Sequence, residues 1–254
     1  GENAFLGCTF EKDNFINNSN CNSSDYWGAT IVYPGIDDLI IRNDTLISCN
    51  KDIVEVTIPH GVIAIGDTAF YECHNLKSID IPTTVTSIGN AVFYNCTSLE
   101  AVVIPNSVVE VGGSVFYGCT QLQNVVLSSN ITTLSCWENG NLTYKYDHTV
   151  GYYHGSGFFE GCTSLISVEI PLGVTTIDWY TFHNCSSLKS VTIPNSVTKI
   201  GGDAFRHCAA LETIDIPNSV TQVCDGLFCG CTSLRSVILS ENITSLKNSP
   251  NRSI

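Results

Sequence analysis

Seven cysteines, Cys73, Cys96, Cys119, Cys162, Cys185, Cys208 and Cys231, recur at steps of 23, 23, 43, 23, 23 and 23 residues. Six prolines, Pro59, Pro82, Pro105, Pro171, Pro194 and Pro217, keep the same 23-residue step except across one gap, which is two steps plus 20 residues. A fixed period in the twenties that survives an insertion constrains the chain more than its composition does. It specifies a solenoid, because a unit of that size cannot bury its own apolar face and stacked neighbours can. The 20 extra residues fall near 136–157.

One unit reads LKSVTIPNSVTKIGGDAFRHCAA, residues 188–210. Its first position is Ile or Leu throughout: Ile53, Leu76, Leu99, Leu122, Leu165, Leu188, Leu211 and Leu234. The fourth and sixth positions carry Val, Ile or Leu, as in Val191 and Ile193. Alternation of β-branched residues over SVTIP predicts a short strand with one buried face, and proline ends it because it cannot donate to a ladder. NSVTKIGG predicts a second extended piece with Val197 and Ile200 inward and glycine at the bend. DAFRHCAAL predicts one tight helical turn, capped by Asp203, with Phe205, Cys208 and Leu211 spaced by three. Stacking aligns the strands in parallel. A Leu-x-x-Val-x-Ile strand at this period lies in the leucine-rich-repeat range.

The stretch SVTIPNSVTKIGGDAFRHCAALETIDIPNSV, 190–220, resembles the BspA-like leucine-rich-repeat family, and the pattern covers 51–246. The resemblance implies an α/β fold, a right-handed horseshoe solenoid of short parallel strands and one-turn helical segments. It further implies an exposed, secreted or cell-surface chain that adheres to or binds proteins, host or matrix proteins among them, without catalysis. Residues 1–9 read as a partial repeat, with Ala4, Phe5 and Cys8 in the pattern. Residues 10–50 read as an irregular insertion and a hairpin turning at Asn43–Asp44, expected to cover the edge of the first full strand. Residues 247–254 form a tail; the stretch from Leu234 begins an eighth strand and never reaches its Phe and Cys, as in a fragment or a frayed last coil.

A thiol at one unit position in every coil points inward beside the same phenylalanine, and free cysteine packs as a small apolar residue. Metal ligands must converge on one point, which a column with one thiol per coil does not offer. Cys21, Cys49, Cys136, Cys224 and Cys229 lie off the column. Cys224 and Cys229 read either as a local disulfide in an oxidising compartment or as two spare thiols. Cys8–Cys21 is a second candidate bridge, and with 13 cysteines at least one stays unpaired.

Phosphate-binding, nucleophile-elbow and zinc-protease motifs are absent. Asp147, His148 and His154 on the insertion lack a regular ligand spacing, and His183 and His207 sit at near-equivalent places on neighbouring coils, which suits surface polarity. No enzyme, metal or cofactor is expected. Eleven basic against 24 acidic residues, a net charge of −13, oppose binding to nucleic acid or anionic membranes. No apolar run approaches the ~18 residues of a membrane span.

Residues alternating with the buried strand positions line the concave face. Most are small or acidic. Ala101, Val103 and Val126 are the exception, an apolar patch flanked by Asp80 and Glu169, as on a protein-binding surface. Valine as a favoured strand former is the competing explanation. The insertion carries Trp137, Tyr144, Tyr146, Tyr152 and Tyr153, which read either as a recognition loop for protein or sugar or as a hairpin lying on the solenoid flank. The expected function is protein binding through either surface; the alternative is a carbohydrate-binding module using the insertion aromatics.

Overall fold

A 23-residue coil has three stretches that can lie against the next coil, and the computed structural model uses all three. It describes residues 38–135 and 157–247, plus the backbone of four short strands, Thr9–Glu11, Thr30–Val32, Tyr146–Asp147 and Tyr152–Tyr153. The first stretch forms three-residue strands: Glu55–Thr57, Ser78–Asp80, Ala101–Val103, Asn124–Val126, Ser167–Glu169, Ser190–Thr192, Thr213–Asp215 and Ser236–Ile238. They pair in parallel, each middle residue opposite the equivalent one of a neighbouring coil, as Val125 is to Val102. After six of the strands a proline starts a turn, its carbonyl accepting from the valine three residues on, as Pro105 does from Val108 at 3.0 Å; Ser128 takes that place after Asn124–Val126, accepting from Ile131 at 3.2 Å.

The second stretch forms another parallel row, Ala64–Ile65, Ser87–Ile88 and Glu110–Val111, then Thr176–Ile177, Lys199–Ile200, Gln222–Cys224 and Ser245–Lys247. A single bridge, Leu134 to Ile177, carries this row past the insertion. The glycines that follow sit hard against the previous coil. A Cβ on Gly112 would lie 2.5 Å from the backbone of Asn90, so any side chain there would push the coils apart.

The third stretch departs from expectation. No helix forms in the described residues; DAFRHC and its equivalents are successive turns. Two residues four apart in each phrase adopt left-handed backbone: Ala91 and Asn95 at φ 51° and 56°, Asp203 and His207 at 53° and 59°. Such residues break a right-handed helix. Alternate amides leave the coil altogether. Ala91, Phe93 and Asn95 donate to the carbonyls of Gly113, Val115 and Tyr117 at 2.9, 2.9 and 2.7 Å, while Tyr94 and Cys96 bond three residues back. A helix would use every amide internally and leave the next coil without a ladder on this wall. Asp203 is therefore no helix cap; it pairs with Arg206 at 3.3 Å.

Between the walls lies one continuous core. Phe70, Phe93, Phe116, Phe159, Phe182 and Phe205 stack ring on ring with centroids 5.3–5.5 Å apart, and the stack steps from Phe116 to Phe159 as if the insertion were absent. The column thiols lie beside these rings, buried except for the half-buried Cys231, and each has a partner. Cys96, Cys119, Cys162, Cys185, Cys208 and Cys231 donate to the phenylalanine carbonyl of the coil before at 3.0–3.1 Å. They pack, as expected, and they also join the coils.

At the N-terminal end the expected hairpin is present, Leu39–Arg42 antiparallel to Thr45–Cys49, with Asn43 and Asp44 at φ 50° and 55°. That two-residue turn with both φ positive matches the twist of the strands it joins. The hairpin extends the second row, Thr45–Cys49 pairing with Ala64–Ile65, and leaves Glu55–Thr57 at the margin of the first sheet. The covered edge is thus not the one expected. Residues 1–8 of the partial repeat and 248–254 of the tail lie outside the described residues.

Candidate functional site

Strand alternation decides what the first wall shows. With Val102, Val168, Val191 and Ile214 turned into the core, their neighbours on either side must face out, and every one of them is exposed. Thr57, Asp80, Val103, Val126, Glu169, Thr192, Asp215 and Ile238 form one outer row. Thr57 is opposite Asp80, Val103 opposite Val126, Glu169 opposite Thr192 and Asp215 opposite Ile238. The strands Asn124–Val126 and Ser167–Glu169 are neighbours in space, so the row runs past the insertion. Asp80, Val103, Val126 and Glu169 thus occupy four consecutive coils, with Ala101 in the parallel row opposite Asn124. At ~4.8 Å per strand the two carboxylates stand roughly 14 Å apart, with the valines between them.

Val103 is 60% and Val126 57% exposed, although the inward valines Val102, Val168 and Val191 lie at 7% or less. Ile238 and Leu239 form a second apolar spot near the far end of the described wall, 60% and 58% exposed. A shallow depression lies at the other end, lined by Glu55, Val56, Thr57, Ser78, Ile79 and Asp80. The outer rows carry the carboxylates of Glu55, Asp80, Glu169 and Asp215 and no Lys or Arg.

The turn wall holds features that the repeat pattern concealed. Tyr71, Tyr94 and Tyr117 stack in a half-buried column with centroids 5.0 and 4.3 Å apart. Burial first, and Glu160 next, push the Tyr117 hydroxyl above its ordinary range, so it stays a neutral phenol. His183 bonds Glu160 at 2.8 Å and lies 5.9 Å, ring to ring, from His207. These residues follow the Phe, or lie two beyond it, at 23-residue steps, which was the available signal in the sequence.

Of the insertion, Tyr146–Asp147 pairs antiparallel with Tyr152–Tyr153, a hairpin. Trp137 and Tyr144, and the side chains of Tyr146, Tyr152 and Tyr153, lie outside the described residues, as do Cys8 and Cys21. Cys224 is buried and Cys229 exposed, and both are free thiols in this structure. Cys224 ends the strand Gln222–Cys224 at the place of a bend glycine, 7% exposed, while Cys229 on the following turn is exposed. Among the described residues no three His, Cys, Asp or Glu gather as a metal site would require, and no helix is long and apolar enough to cross a membrane.

A family model described as a BspA type leucine rich repeat region matches residues 40–144 and 154–250, in six copies. Among solved structures the chain is similar to a leucine-rich repeat protein of T. pallidum, at 27% identity and a TM-score of 0.56, over 81% of this chain and 79% of that one. It is similar to a leucine-rich repeat protein from Eubacterium ventriosum at 25% identity and a TM-score of 0.58, over 85% of this chain and 53% of that one. A third, from Bacteroides ovatus, shares the fold at 23% identity and a TM-score of 0.54, over 80% of this chain and 64% of that one. This chain therefore spans less than two thirds of the latter two. No curated protein matches it.

Proposed function

Because this chain belongs to the BspA-type leucine-rich-repeat family, we propose that it is a non-catalytic scaffold, secreted or held at a cell surface, that binds a protein partner on its strand face. The observation that carries this reading is the adjoining pair Val103 and Val126, held outward on a rigid three-residue ladder with Asp80 and Glu169 to either side. Apolar groups fixed in place lose little entropy on binding, and an apolar centre with a charged rim is what protein contacts use. Acidic flanks select a partner whose own apolar patch is ringed by Lys or Arg, and they make association depend on salt.

The test compares wild type with Val103→Asp/Val126→Asp on a panel of extracellular-matrix proteins and glycans, after circular dichroism has verified folding of the variant. Binding of a protein by wild type and its loss in the variant are expected. Equal binding by both would remove the strand face from consideration and make the insertion aromatics, Trp137 and Tyr153 first, the surface to cut. Competition by a free sugar would favour carbohydrate binding instead.

A further inference from the structure

Each column thiol from Cys96 onward except Cys224 and Cys229, which lie off the column, reaches a phenylalanine carbonyl one coil back. Cys73 belongs to the first full coil, where the capping hairpin stands in place of a preceding one. Its sulfur lies 3.1 Å from the sulfur of Cys49, the last residue of the hairpin strand Thr45–Cys49. Lys51 reaches over the pair: its ammonium donates to the Tyr71 carbonyl and stands 3.9 Å from the Cys73 sulfur. The thiol hydrogen bond from Cys49 first, and Lys51 with it, hold Cys73 below the ordinary thiol range against the effect of burial. The same bond pushes Cys49 up, so Cys73 gives up its proton more readily than Cys49 does.

We propose that Cys49 and Cys73 are a disulfide site, closed by exchange with a low-molecular-weight disulfide, which staples the capping hairpin to the first coil. From 3.1 Å to a bond of ~2.05 Å the sulfurs have about 1 Å to travel. Cys49 is at the rim, 9% exposed, and Cys73 lies behind it at 0%. Cys49 therefore meets the oxidant RSSR. Cys49 first gives up its proton; its thiolate sulfur bonds to one sulfur of RSSR, the S–S bond breaks, and the first RS⁻ leaves and takes up a proton as RSH. Cys73 then gives up its proton and attacks the Cys49 sulfur, and the second RS⁻ departs and is protonated to RSH. Two protein thiols and RSSR become one protein disulfide and two RSH, so the protein is oxidised and the small disulfide reduced. A stacked array opens from its ends, so a covalent tie at the cap acts where the coils are least restrained.

The experiment incubates the full chain with oxidised glutathione, alkylates it in denaturant and maps the peptides. Expected are a linked pair holding Cys49 and Cys73, with both thiols lost to alkylation, and a higher Tm for the oxidised than for the reduced chain. Cys49→Ser is expected to abolish both the link and the Tm difference, and Lys51→Gln to slow the appearance of the link. Alkylation of both Cys49 and Cys73 after oxidation of folded wild type overturns the proposal, and needs no variant. Full retention of the Tm difference in Cys49→Ser overturns the staple.

Discussion

Raising the pH should unfold this solenoid well before lysines or tyrosines titrate, and the column thiols set the size of the effect. Cys96, Cys119, Cys162, Cys185 and Cys208 are all pushed above the ordinary thiol range, by burial first and, except for Cys119, by a neighbouring thiol next. In the unfolded chain each ionises near pH ~8.5. Below that pH both states hold the proton and the thiols contribute their full stability. Above it the unfolded chain releases protons that the folded chain keeps, so stability falls as pH rises. One unit above the unfolded value each thiol costs about 1.4 kcal/mol, and five of them about 7 kcal/mol. That is comparable to the ~5–15 kcal/mol that holds a typical domain folded. The assay is urea denaturation followed by far-ultraviolet circular dichroism, with reductant present, at about pH 7, 8.5 and 9.5. A Cys119→Ala/Cys185→Ala variant should be less stable at neutral pH yet lose only about three fifths as much stability per pH unit, since three of the five thiols remain. A wild-type urea midpoint that stays level from about pH 7 to 9.5 would refute burial of a neutral thiol column.

Phe205→Ala removes a fully buried ring from between Phe182 and Phe228 and should lower stability by roughly 3–5 kcal/mol; a melting curve that hardly moves would place the ring outside the stack. Glu72, exposed at φ 56°, takes the place that Gly118, Gly161 and Gly230 fill in other coils. Glu72→Gly should therefore stabilise by about 1 kcal/mol through relief of the left-handed backbone, whereas in a helix the same change would cost about as much, so the sign of the Tm shift reads the turn directly.

The inward rows were legible because their signal is periodic and repeated. Val197, Ile200, Phe205, Cys208 and Leu211 all lie at 0% exposure, as the spacing required. The helical turn was misread at DAFRHC. Spacing by three fits both a helix and a pair of tight turns, and what separates them is where alternate amides go. Phe205 donates to the Leu227 carbonyl of the next coil, a partner 22 residues away that local pattern does not reveal. Cys224 and Cys229 looked close in sequence, but one is buried at the end of its strand and the other is exposed on the following turn. Cys49 was placed only as lying off the column, because its partner belongs to the column and only the hairpin's docking brings the sulfurs together.

A 23-residue period by itself determined that coils stack, which residues face inward, and that Asp80, Val103, Val126 and Glu169 share one outer row, since strand alternation leaves those side chains no other side. Only the tertiary structure decided how the third wall satisfies its backbone, which sheet the hairpin caps, and that the column thiols from Cys96 onward are donors as well as fillers. Those are contacts between groups in different coils. Their distances depend on how closely one coil lies on the next, and that is set by the packing of the whole stack.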